Sequence, residues 1–221
     1  MDWAFANREL ILSLALTHVS LCIIPIVASF VLSIPIGWLA NRRPWARTLI
    51  ISAGSLLYTI PSLPLFVMLP YLLGTRITDA ANILVALTIY AIAMMVRSAS
   101  DALAAVPADA INAATAMGYS RWGRFWRVEF PLAGPVLLAG ARVVSVSTIA
   151  LASVGAIIGS ANLGYLFTNG KQRDFLDEIL VGIVATLVIA LVFDLILVLL
   201  GRILMPWNRA KRTRRARTAV A

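Results

Sequence analysis

"AATAMGYSRWGRFWRVEFP" (residues 113–131) separates two long apolar runs and resembles neither. Pro107 suits the first turn of a helix, Ala110, Ala113, Ala114 and Ala116 favour continuing it, and Gly118 is placed to stop it. Ser120 can cap a second short segment, in which Trp122, Phe125 and Trp126 share one face while Arg121 and Arg124 share another. The spacing predicts two short helices meeting at an elbow. A piece this small cannot bury its own core, so it is expected to complete itself against something else.

The rest of the chain says where the elbow sits. Of 221 residues, 61% are hydrophobic and 13% charged, and the mean hydropathy of +0.90 is far from that of a water-soluble domain. Apolar stretches long enough to cross a hydrocarbon core of about 30 Å predict an all-α membrane protein. The alternation of a β-barrel is missing. About five spans are expected, at 16–40, 48–73, 79–100, 131–158 and 177–204. Residues 1–15 lack the pattern of a signal peptide and read as an interfacial lead-in helix, or as an extension of the first span. The expected organisation is that lead-in, a membrane domain over 16–204 containing the elbow at 107–130, and a basic tail over 205–221.

Orientation follows from the basic residues. Arg42, Arg43, Arg47, Arg121, Arg124, Arg127 and the tail from Arg202 to Arg217 follow odd-numbered spans, whereas Arg8, Arg76, Lys171 and Arg173 lie on the opposite side. The positive-inside rule then puts the amino terminus outside, and the elbow and tail in the cytoplasm. The net charge of +9 is read as a topology anchor beside anionic lipid, with no nucleic-acid role.

Few residues invite chemistry, and no catalytic residues are assigned. Cys22 has no partner for a disulfide, and the lone His18, near the outer start of the first span, reads as an interfacial hydrogen-bonding residue and not as part of a metal site. There is no Gly-x4-Gly-Lys-Ser/Thr phosphate loop, so any ATP must be bound by a partner. Pro61, Pro64 and Pro70 break the second span's backbone ladder, and a kinked helix either lines a water-filled path or is satisfied locally by Thr59 or Ser62. Tyr58 and Tyr90 offer ring faces to a quaternary ammonium, or simply pack with bonded hydroxyls. Arg142 and Asp194 lie at membrane depth, about 16 and 12 Å from the cytoplasmic ends of their spans, which predicts an intramembrane ion pair joining spans four and five. Gly134 and Gly140 predict close packing of span four.

Ala113, Ala114, then Gly118, nine residues, and Val128-Glu129-Phe130-Pro131 resemble the Glu-Ala-Ala-x3-Gly-x9-Ile-x-Leu-Pro signature of permease subunits of binding-protein-dependent ABC importers, with Asn112 where the family has glutamate. "YTIPSLPLFVMLP" (58–70), "LVALTIYAIAMMVRS" (84–98) and residues 131–164 look like the osmoprotectant branch, whose members import glycine betaine, choline, carnitine, proline or related solutes. That branch usually reads Gly-Ala-Gly-Gly-Leu-Gly where this chain has Gly159-Ser160-Ala161-Asn162-Leu163-Gly164. The resemblance implies a type I importer permease core with a cytoplasmic coupling helix. It implies docking of an ATPase through Asn112, Ala113, Ala114, Met117, Gly118, Tyr119, Arg121 and Trp122. It also implies a path or gate near Tyr58, Pro61, Ser62, Pro64, Tyr90 and Asn162. The implied partners are ATPase subunits carrying ATP and Mg, a second permease, an extracytoplasmic solute-binding protein and the bilayer of a prokaryotic cytoplasmic membrane. A methionine-type amino-acid permease shares the docking signature, and an ATP-independent channel or carrier is the remaining alternative.

Overall fold

The computed structural model describes residues 2–207, and among these the regular structure is entirely helical. A short α1 (Asp2–Ala6) leads into α2 (Arg8–Ala40), followed by α3 (Pro44–Thr59), α4 (Ser62–Leu73) and α5 (Ala80–Ala104). The elbow helices are α6 (Ala108–Ala116) and α7 (Arg121–Arg124), and after them come α8 (Phe130–Ala152), α9 (Gly164–Gln172) and α10 (Leu176–Leu204). By length and composition, four helical stretches can cross a membrane: α2, α5, Arg121–Ile158 and α10. The bent pair α3 and α4 brings the total to five.

Helices α2 and α5 run side by side in the same direction. Their closeness is set by Gly37, where an added Cβ would come within 2.8 Å of the Ser100 backbone nitrogen. Where they end, Asn41 donates to the Ser100 carbonyl at 2.8 Å and accepts from the Ser100 hydroxyl at 2.7 Å. The opposite end of the bundle is marked by Trp3 packed edge-on against Phe175, centroids 5.8 Å apart. Between these ends lie two apolar clusters, one around Met95, Ala99, Leu137 and Val144, the other around Cys22, Phe66, Leu87 and Ile149. Helix α8 closes against α5 through Gly140, whose missing Cβ leaves room for Ser98. Gly134 does the same for Met205, which follows α10. Helix α10 is the outermost element, and its apolar window has no buried residue.

The structure adds three things to the sequence reading. Residues 8–15 extend the first span, the second of the two readings given for the lead-in, and the helix from Arg8 carries His18 into the bundle. The interfacial reading of His18 is therefore corrected: the residue is fully buried, and its Nε2 lies 3.0 Å from the Ile149 carbonyl oxygen of α8. The second span is broken where its prolines predict, and its axis turns by 99° between α3 and α4. Finally, α7 does not stand apart from the fourth span. A single π-helical turn, Phe125–Glu129, joins it to α8, and a 3₁₀ turn, Ser153–Ile158, extends α8 at its far end. The basic tail lies outside the described residues apart from its beginning at 205–207.

Candidate functional site

The elbow is built from local rules. Pro107 precedes α6, and the helix runs until Gly118 adopts φ +80°, a left-handed conformation open to glycine without steric cost. The Tyr119 N–H then donates back to the Ala114 carbonyl at 3.2 Å, closing the helix end. Ser120 caps α7 by accepting from the Gly123 N–H at 3.2 Å.

Two devices fix the elbow to the bundle. Trp38, near the end of α2, packs against Trp122 and Phe125 with centroids 5.9 and 5.2 Å away. Arg124 reaches in two directions: its Nε donates to Glu129 Oε1 at 2.7 Å and its Nη1 to Thr115 Oγ1 at 2.8 Å. One guanidinium therefore braces α6 against the π turn. Sequence reasoning missed Glu129, although a signal was present: a carboxylate five residues after an arginine matches the i,i+5 register of a π turn.

With its inner side fixed, the elbow presents the remainder outward. Asn112, Ala113, Met117, Gly118, Arg121 and Trp122 are exposed, Tyr119 is half-buried, and Ala114 is buried beneath them. The result is a short exposed helix joined, across the Gly118 elbow, to a helical path that begins at Arg121 and is long enough to cross a membrane. Displacement of α6 would be carried into α8, because helix and bracing side chains form one packed body.

The residues singled out for a path separate into two groups. Tyr58, Pro61, Ser62, Pro64 and Tyr90 gather at the break of the second span, where Tyr58, Pro61 and Pro64 are exposed and Ser62 is half-buried. Tyr90 is buried, with its ring edge-on to Tyr58 at 6.0 Å and its hydroxyl donating to the Ile60 carbonyl at 2.6 Å. That carbonyl is one the break leaves without a helical partner, so the tyrosine satisfies it from the neighbouring span. Tyr90→Phe is expected to lower stability by about 1 kcal/mol, the net worth of one hydrogen bond to a partly exposed carbonyl. Thermal unfolding of the detergent-solubilised protein measures this, and an unchanged transition would show that another donor covers Ile60.

Asn162 belongs elsewhere. It is fully buried, donating to the Ala152 carbonyl at 3.1 Å and accepting from the Gly164 N–H at 2.7 Å, so it ties the end of α8 to the start of α9. At membrane depth, Arg142 and Asp194 meet in a two-pronged ion pair, Nε to Oδ1 at 2.6 Å and Nη2 to Oδ2 at 2.8 Å, linking α8 to α10.

Comparison with known proteins accords with this geometry. Residues 20–210 match the family described as binding-protein-dependent transport system inner membrane component. The osmoprotectant import permease protein OsmW of Salmonella typhimurium is 31% identical over 204 residues, covering 90% of this chain and 94% of that protein. The carnitine transport permease protein OpuCB of Listeria monocytogenes is 30% identical, covering 80% of each chain. The Helicobacter pylori ergothioneine transport permease/ergothioneine binding protein EgtU is 34% identical over 73% of this chain but only 28% of its own length. Among solved structures, an inward-facing conformation of the MetNI methionine ABC transporter superimposes with a TM-score of 0.70 at 21% identity, over 90% of this chain and 96% of that one. The fold is accordingly a type I importer permease core, and the chain belongs to the family of inner membrane components of binding-protein-dependent transport systems.

Proposed function

We propose that this chain is the permease subunit of an ATP-driven importer of osmoprotectants such as glycine betaine, choline, carnitine or proline. The observation that carries the reading is the elbow: an exposed short helix, α6, tied by Arg124 to the start of a helical path that runs from Arg121 to Ile158 and is long and apolar enough to cross a membrane. The solute class is supported by relatives named for osmoprotectant and carnitine transport at 30–31% identity over most of their length. In this reading the amino terminus lies outside and the carboxy terminus in the cytoplasm, as the distribution of arginines favours. ATP and Mg reside on separate ATPase subunits, into which α6 fits. A second permease, identical or homologous, completes the path, and an extracytoplasmic binding protein delivers the solute. The exposed break near Tyr58, Pro61 and Pro64 offers the wall of that path. With Asn112 in place of glutamate, docking rests on the shape of α6 and on exposed side chains such as Met117 rather than on an ion pair.

The test compares the native chain with Gly118→Ala and Gly118→Pro. An added Cβ at Gly118 meets nothing within 4 Å, so alanine carries only the backbone cost of φ +80°, about 1–2 kcal/mol. Proline cannot adopt that φ and must unmake the elbow. The native chain and Gly118→Ala are expected to co-purify with the ATPase and support ATP- and binding-protein-dependent uptake of labelled glycine betaine in vesicles, whereas Gly118→Pro loses both. Uptake of methionine instead would move the chain to the amino-acid reading. Solute flux without any ATPase would overturn the importer assignment.

A further inference from the structure

A cavity of about 1390 Å³ opens beside the elbow, between the end of α2, the first turns of α3 and the last turns of α5. Six arginines line it against two carboxylates, Asp101 and Glu129, an excess of four positive charges. Two of the six are neutralised: Arg47 by Asp101 at 2.6 Å and Arg124 by Glu129 at 2.7 Å. A third, Arg42, is laid over the Trp38 ring at 4.0 Å. The remaining three, Arg43, Arg97 and Arg121, carry no ion pair among the described residues.

Arg97 is the informative one. It lies about two turns before the end of α5, three residues inside the expected end of the third span at residue 100, and is exposed to the cavity. A guanidinium with no ion pair, this close to the end of a span, attracts anionic groups. The wall also includes Ser52, about 12 Å along α3 from Pro44, so the cavity extends along α3 away from the elbow. Alongside, α3 turns an apolar face outward, with Trp45 62%, Leu49 60% and Leu56 70% exposed. A basic recess at the ends of the spans, beside an apolar helix face, has the two chemistries of a phospholipid.

We infer that this cavity is a binding site for the phosphate of an anionic phospholipid, with Arg43, Arg97 and Arg121 as its ligands and the outer face of α3 as the bed for an acyl chain. Guanidinium pairs with phosphate through two parallel hydrogen bonds, and basic recesses between spans select charged headgroups over zwitterionic ones. The inference stands apart from which solute crosses the membrane.

The experiment is native mass spectrometry of the full chain in its purified complex, after equilibration with equimolar phosphatidylglycerol and phosphatidylcholine. The native protein is expected to retain phosphatidylglycerol preferentially. The triple variant Arg43→Gln/Arg97→Gln/Arg121→Gln is expected to lose about 100-fold in that affinity, each side chain contributing roughly fivefold. A charge-matched variant at the other end of the bundle, Arg8→Gln/Arg76→Gln/Lys171→Gln, is expected to behave as native. Photoactivatable phosphatidylglycerol on the native chain gives a readout independent of variant folding, and should label peptides spanning 42–52 or 97–124. Equal retention by native and triple variant, or labelling confined to other peptides, overturns the inference. Displacement of the lipid by millimolar inorganic phosphate would reassign the cavity to a free anion. Loss of the ATPase with lipid retention unchanged would reassign it to protein docking.

Discussion

Arg142→Ala and Asp194→Ala are each expected to lose most of the assembled protein from the membrane, whereas Arg142→Met combined with Asp194→Leu recovers much of it. Each single change removes one partner of a two-pronged pair and leaves its opposite charge at membrane depth. The double change removes both charges and replaces them with side chains the lipid accepts. The pair matters unusually here because α10 is the outermost span, with no buried residue in its apolar window. Apolar side chains gain little by leaving lipid for another helix, so a directional bond carries more of the docking of α10 than it would in water. Arg142→Lys is expected to fall between, since an ammonium keeps the charge but not the paired geometry. Size-exclusion profiles of membrane extracts measure the outcome. A double variant as depleted as the singles would show that the two residues act separately.

Gly164→Ala is the second large effect. Gly164 opens α9 directly on top of the Ser153 carbonyl: an added Cβ would collide with that oxygen, lie 2.7 Å from its carbon and 2.9 Å from the Ala156 Cβ. None of these atoms is the free end of a flexible side chain. The backbone itself must move, and Asn162, which accepts from the Gly164 N–H, must move with it. The expected loss is about 3 kcal/mol or more, at the top of the range for overpacking, lowering Tm by roughly 6–12 °C. Gly74→Ala provides the contrast: its φ of +67° carries a backbone cost of about 1 kcal/mol, but its Cβ enters open space. Equal shifts for the two variants would show that α9 yields more readily than its packing indicates.

The legible parts of this molecule are those set by neighbours in sequence. Gly118 and Ser120 announce a helix stop and a helix start, and the structure has both within a few residues. The hydropathy of the long spans and the matching depths of Arg142 and Asp194 likewise need only counting along a helix. What sequence alone obscured depends on partners far along the chain. Three prolines signal distortion near residue 61, but the 99° turn is viable because Tyr90 covers Ile60. His18 looked interfacial because the first span was started at residue 16, and beginning the helix at Arg8 moves it inside. Asn162 stands where the related pattern has glycine, and the sequence did not show what its side chain would bond to. Its side chain is buried and joins two helix ends. The arginines at 42–47 and 121–124 announced sidedness, yet nothing local showed that two loops bring them, with Arg97, around one recess.

The broken second span also dictates an order of events at the ribosome. Its two halves, of 16 and 12 residues, are both shorter than a bilayer crossing requires. They leave the tunnel before the hydroxyl that covers Ile60, which lies 30 residues downstream. Until α5 arrives, that segment carries an uncovered carbonyl, so the nascent chain is most vulnerable between the emergence of Ile60 from the tunnel and that of Tyr90. Insertion machinery that held α3 and α4 until α5 emerged would protect this chain in particular, and quality control would find its defective copies at the same point.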